Sequence, residues 1–258
     1  MLFLFFANFK NWKGKGIKKM KMGAEIKAIF FDLDGTLLPM DQAYFLKQYF
    51  KRITVFAAQN GISPDNFSNG MLAGIEAMIK NDGSCNNEEA FWSAFAAFVD
   101  MKQEEVEAIL SHFYSSEFKM LRKYTEQNLL AAEVIKAAHF NGKKVVLATN
   151  PVFPYFVQKE RMSWIGLSEE DFDFITSYEN STYCKPNPEY YLEICKKIGV
   201  LPENCLMIGN DESDDMKGAS AAGFECFLVT DNRIISENFV WTGERGSFEQ
   251  ALKMIERI

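Results

Sequence analysis

Histidine is almost missing from this chain: there are two residues among 258, His112 and His139, far apart in helical-looking segments. That excludes a histidine-based metal site or catalytic triad. Cysteine occurs five times, as Cys85, Cys184, Cys195, Cys205 and Cys226, but never as C-x-x-C and never at a zinc spacing. An odd, scattered set reads as reduced packing thiols in a cytoplasmic protein. A surplus of positive charge is lacking too. The net charge is -7, so there is no general basic face for nucleic acid, and an anionic ligand must be drawn in by a local cation or metal. No apolar stretch approaches the roughly 20 residues of a membrane span. Chemistry here has to run on carboxylates, hydroxyls and lysines.

The first 24 residues read as a tail, disordered or preceding a later start at Met20 or Met22. Leu2 to Ala7 is apolar but short, and six lysines follow between Lys10 and Lys21. A secretory signal has the opposite order, basic residues first. The combination could touch an anionic membrane surface, but the tail reading is favoured.

From Glu25 onward the chain alternates strand and helix patterns. "IKAIFF" is a nearly continuous apolar run, the pattern of a parallel strand buried on both faces. "KKVVLATN" (143–150), "DFITS" (173–177), "CLMIG" (205–209) and "CFLVT" (226–230) follow. Helices are expected between the later strands, one with Asn187 as N-cap, Pro188 in the first turn and Gly199 as stop. Another is expected over "ESDDMKGASAA", ending at Gly223. Such alternation predicts an α/β fold with a doubly wound parallel sheet. The core is assigned to residues 25–40 and 125–258.

Residues 41–124 break the alternation with helical patterns alone, such as Ala43, Leu46, Phe50, Ile53 and Ala57 before Gly61. An inserted helical cap is expected there, its junctions close to the end of the first strand, where a lid would sit.

The strand ends carry the reactive groups. Strand one ends in Asp32-Leu33-Asp34-Gly35-Thr36, and the second long strand in Ala148-Thr149-Asn150. Lys185 stands just before the Asn187 cap, and "CLMIG" runs into Asn210, Asp211, Glu212, Ser213, Asp214 and Asp215. In a doubly wound sheet these four loops converge on one crevice.

This set resembles the haloacid dehalogenase superfamily over roughly residues 27–230. The resemblance implies a Rossmann-like core, with the first Asp of D-x-D-G-T, Asp32, as nucleophile and the second, Asp34, as general acid and base. It implies that Thr149, Asn150 and Lys185 hold the phosphoryl oxygens. Magnesium would be bound by Asp32, the main-chain carbonyl of Asp34, Asp211 and Asp215. The acidic motif departs from the common family form because Asn210 stands between Gly209 and Asp211. Asn210 is thus an alternative alignment, Asp214 a reserve ligand, and Glu212 and Asp214 are expected outside the ion's immediate contacts.

The residue types suit phosphoryl transfer. A carboxylate can attack phosphorus to give an acyl phosphate. A divalent cation offsets the charge of anion meeting dianion, and Asp34 can shuttle the proton if crowding keeps it protonated beside an ionised Asp32. Gly35 would let the chain turn without a Cβ against the phosphate. The resemblance therefore implies a magnesium-dependent phosphatase acting on a small phosphorylated metabolite. The alternative is a sugar-phosphate mutase on the same core; a non-catalytic phosphate-binding or signalling protein comes third. A magnesium-independent dehalogenase lacks the acid at the Asp34 position, and a receiver module lacks both D-x-D-G-T and the insertion.

Overall fold

The computed structural model describes residues 25–258, so the tail assigned to residues 1–24 lies outside the described residues. Six strands form one sheet: β1 (Ala28–Phe31), β2 (Lys144–Leu147), β3 (Phe174–Ile175), β4 (Cys205–Gly209), β5 (Glu225–Val229) and β6 (Arg245–Gly246). All neighbours are parallel, in the order β3-β2-β1-β4-β5-β6. β1 lies at the centre, with Phe31 opposite Leu147 on one side and Ile208 on the other. The loops after β1, β2 and β4 therefore leave the sheet side by side.

The alternation of strand side chains divides the core into two layers. Ile29 and Phe31 join Val145, Leu147 and Ile208 on one face, packed against α5 (Ala131–Phe140) and α9 (Phe248–Ile255). Ala28 and Phe30 join Val146 and Met207 on the other, packed against α7 (Pro188–Ile198) and α8 (Gly218–Ala222). Both faces of β1 are buried, which is why its sequence is apolar throughout. The α7 signals act as read: the Asn187 side chain accepts from the Glu189 N–H, and Gly199 closes the helix at φ 68°.

Between β1 and β2 the chain is helical: α1 (Gln42–Gln59), α2 (Pro64–Ile79), α3 (Asn87–Phe95), α4 (Gln103–Ser115) and a 3-10 segment, Glu117–Tyr124. The two junctions of this block meet, because the Glu126 N–H donates to the Pro39 carbonyl at 2.8 Å. Phe45, Tyr49, Phe113 and Phe118 belong to the same apolar cluster as Phe153 and Trp164 of the core. Among the described residues, no helix is long and apolar enough to cross a membrane.

Three local expectations are corrected. "ESDDMKGASAA" is not one helix: a π-helical turn over Glu212–Lys217 precedes α8. The Asp211 carboxylate caps this turn through the Ser213 and Asp214 amides, and the Met216 N–H donates to the Asp211 carbonyl five residues back at 3.1 Å. The helical pattern expected across residues 41–124 is likewise interrupted at Ser116 (φ -121°, ψ -82°), between α4 and the 3-10 segment. β6 and α9 were not anticipated. β6 has only Arg245 and Gly246, without an apolar run, and pairs through its backbone with Leu228 and Val229.

Candidate active site

The first loop turns within one residue of β1. Asp32 donates its N–H to the Ile208 carbonyl at 3.0 Å, which ties the loop to β4, and Gly35 donates to Leu38 at 2.8 Å. Gly35 has φ 84°, a left-handed conformation that favours glycine. The reason for glycine is sharper than expected. A Cβ at this position would strike the Asn210 side-chain amide, so the neighbour it spares is Asn210 and not a phosphate. From across the junction, the Asn128 side chain donates to the Thr36 and Leu37 carbonyls at 3.4 and 3.1 Å.

Lys185 occupies the centre. It is buried, and its Nζ donates to Asp32 Oδ1 at 2.8 Å and to Asp215 Oδ1 at 2.6 Å. Burial works against the ammonium charge, but Asp215 and Asp32 outweigh it and hold Lys185 well above its ordinary value. Burial pushes Asp32 up from 3.8 to about 7, with Lys185 pulling the other way and Asp215 and Asp34 adding to the rise. The other oxygen, Asp32 Oδ2, accepts from Thr36 Oγ1 at 3.4 Å, and the same hydroxyl lies 3.1 Å from Asn210 Oδ1.

The acidic loop after β4 divides its groups. Asp215 accepts from Lys185 and, at 2.9 Å, from the Asp211 N–H. Asp211 caps the π-helical turn. Asp214 Oδ2 accepts from Asn150 Nδ2 at 3.3 Å. Burial holds the carboxyls of Asp211, Asp214 and Asp215 above the usual range, against the pull of Lys185. Glu212 points elsewhere. Fully buried, it accepts from Arg233 at 2.6 Å and from the Ser236 and Trp241 amides, so it fastens the loop after β5.

Thr149 is buried at the end of β2. Its carbonyl accepts from Thr176 Oγ1 at 2.7 Å and the Tyr190 hydroxyl at 2.9 Å, which fixes the loop that carries its side chain. Asn150 Oδ1 is buried without a hydrogen-bond partner. Asp32, Asp34, Thr149, Asn150, Lys185, Asp211 and Asp215 all line one cavity of about 1450 Å³ between the sheet's carboxyl edge and the helical block.

One functional neighbour was missed. Arg161, on α6 (Tyr155–Ser163), is fully buried and ion-paired with Asp34. Its guanidinium also lies 5.0 Å from the Phe153 ring centroid and donates to Gln158 Oε1 at 2.8 Å. The neighbour Asp34 meets is thus a cation, where crowding by carboxylates was expected. No spacing in the sequence links residues 34 and 161; burial of the arginine is the signal, and that needs the fold.

Five aspartates, Asp32, Asp34, Asp211, Asp214 and Asp215, line this crevice, and two buried cations pair with three of them: Lys185 with Asp32 and Asp215, and Arg161 with Asp34. Burial, with repulsion among them added, raises the carboxyls of Asp32, Asp211, Asp214 and Asp215. An all-oxygen donor set with surplus charge fits a hard divalent cation. Among the described residues, no three His, Cys, Asp or Glu side chains form a closed cage. Magnesium needs none, since it commonly keeps waters and takes one or two carboxylates beside a substrate phosphate.

The chain is similar to known hydrolases in sequence and in fold. The family model described as haloacid dehalogenase-like hydrolase matches residues 26–223. A glyceraldehyde 3-phosphate phosphatase of Methanopyrus kandleri is 23% identical, over 77% of this chain and 81% of its own. An enolase-phosphatase of Persephonella marina is also 23% identical, over 80% and 88%. Among solved structures, a HAD phosphatase from Thermococcus onnurineus shares the fold, with a TM-score of 0.57 and 20% identity over 90% of this chain and 100% of that one.

Proposed function

The chain belongs to the haloacid dehalogenase-like hydrolases, and from that premise we propose that it is a magnesium-dependent phosphatase of small phosphomonoesters working through an aspartyl phosphate. The observation that carries this reading is Lys185, buried between Asp32 and Asp215 at 2.8 and 2.6 Å. Such a cation holds a carboxylate ionised in a buried crevice and leaves donors to spare for a phosphoryl oxygen.

Asp32 attacks phosphorus through a carboxylate oxygen, and the ester P–O bond breaks. Asp34 gives a proton to the departing alkoxide, one it takes up when its ion pair with Arg161 is broken in the substrate complex. Water then attacks the phosphorus of the aspartyl phosphate, Asp34 takes a proton from that water, and Asp32 leaves as carboxylate with inorganic phosphate released. Thr149, Asn150 and Lys185 hold the phosphoryl oxygens. Before substrate binds, Arg161 holds Asp34 in place from behind. Magnesium, held by Asp32, the Asp34 carbonyl, Asp211 and Asp215, would supply the charge that lets a carboxylate approach a phosphate dianion. The helical block acts as the lid that excludes water, and the enzyme works in the cytoplasm on a soluble metabolite.

The test is phosphate release from a panel of phosphomonoesters, with magnesium and with EDTA, beside Asp32→Asn and Asp34→Asn. Release is expected only with magnesium, lost in Asp32→Asn and strongly reduced in Asp34→Asn. Release that persists in EDTA, or that survives Asp32→Asn, overturns the mechanism. Turnover seen only as isomerisation primed by a sugar bisphosphate favours the mutase.

A further inference from the structure

The cavity above Asp32 is far larger than one phosphate requires. Its volume of about 1450 Å³ exceeds the roughly 300–1,000 Å³ of ordinary small-molecule sites. Its phosphate end is polar, formed by Asp32, Thr149 and Lys185, whereas the wall facing it from the helical block carries a run of apolar side chains among its charges. There α1 and α2 contribute the half-buried Leu46, Phe50, Ile75 and Ile79. Phe156, 47% exposed, lines it from the core.

The charges on this wall are mostly negative. Glu88, Glu107 and Glu179 line it, and burial, then Glu179, pushes the Glu88 carboxyl up. Among the described residues, the helical block gives the lining a single cation, the exposed Lys47. The core-side cations besides Lys185 are Lys217 and Arg233, and Arg233 is already paired with Glu212. Away from Lys47 and Lys217, a second anion on a leaving group would meet apolar surface and carboxylates, and would lose its hydration without a partner. An apolar leaving group would meet surface that gains from being covered.

We propose that this site selects phosphomonoesters whose leaving group is extended, apolar and free of a second anion, that is, medium-chain alkyl or aryl phosphates. The proposal rests on the phosphatase reading above. It opposes substrates that carry a carboxylate or a second phosphate beside the scissile one, including the bisphosphate a mutase needs.

The test is a series from ethyl to octyl phosphate, in which leaving-group reactivity is nearly constant and only buried length changes. With magnesium, kcat/KM is expected to rise about 2- to 4-fold per methylene until the wall is covered. Phosphoglycolate and glucose 1,6-bisphosphate are expected at least about 10-fold below butyl phosphate. Ile75→Asp is expected to flatten the series, and Glu88→Gln to narrow the gap to phosphoglycolate. A flat or falling series in an enzyme that turns over, or a preference for the doubly anionic esters, overturns this proposal and leaves the phosphatase reading standing. No turnover of any ester, p-nitrophenyl phosphate included, overturns both.

Discussion

Replacing Lys185 by methionine removes the only cation that Asp32 and Asp215 share. All three side chains are buried, so the two carboxylates would be left facing each other without water to screen them. Deleting one partner of a buried ion pair destabilises by about 3–5 kcal/mol. For a chain of this size that lowers the melting temperature by roughly 6–20 °C. The loss depends on pH in a definite sense. The carboxylates can escape by taking up protons, and Asp32 already sits near 7 with the lysine present. Above about pH 7 the parent has an ionised Asp32 for the lysine to pair with; below it Asp32 is protonated in the parent too, and the lysine has lost one of its two counter-ions. The stability difference is therefore expected to shrink markedly as pH falls. Adding Asp215→Asn to Lys185→Met removes one of the two stranded charges and is expected to recover about half the loss at pH 8, while phosphatase activity stays lost because the lysine is still missing. Thermal melts by circular dichroism at the two pH values decide the matter. A Lys185→Met protein within about 1 kcal/mol of the parent at pH 8 refutes the view that Lys185 is the electrostatic centre of the site.

Other consequences can be checked separately. With Asp32 raised to about 7, and Asp211, Asp214 and Asp215 raised with it, the stability these groups contribute is complete below about pH 4 and is lost as pH rises, for Asp32 through about 7. In EDTA the melting temperature is expected to fall between about pH 5 and 7.5, and millimolar magnesium to restore more of it at the higher pH; an equal magnesium effect at both would contradict this. Arg161→Met strands the Asp34 carboxylate and the Gln158 amide oxygen, so the urea midpoint is expected to drop by the equivalent of about 3–5 kcal/mol. An unchanged midpoint would show that Asp34 finds another partner. Gly35→Ala places a methyl group against Asn210 at φ 84° and is expected to lose about 1–3 kcal/mol together with turnover. Full activity in that variant would show that the loop tolerates displacement.

Much of the fold was legible because one physical rule governs it. A central parallel strand is covered on both faces, so Ala28–Phe31 and Cys205–Gly209 are apolar at every position and announce themselves. The α7 boundaries were legible because Asn187, Pro188 and Gly199 act within one turn of their own positions. β6 was illegible because its pairing uses backbone atoms alone, on two residues at the sheet edge. The π-helical turn was illegible because it rests on a backbone bond, Met216 N–H to the Asp211 carbonyl, that no side-chain pattern marks.

The sequence by itself determined the chemical inventory of the site. Asp32, Asp34, Thr149 and Asp211 follow strand ends, Lys185 stands just before the α7 cap and Asp215 in the turn after β4, places fixed by local apolar runs, caps and turn residues. What each group touches was decided by tertiary structure alone. Lys185 lies 153 positions from Asp32 and 30 from Asp215. Arg161 reaches Asp34 from a helix with no motif, and Gly35 is required by Asn210, which belongs to another strand. Coulomb energy and steric exclusion act over a few ångströms of space, whatever the separation along the chain. Residue type therefore told which groups were present, and only folding told which of them share a charge.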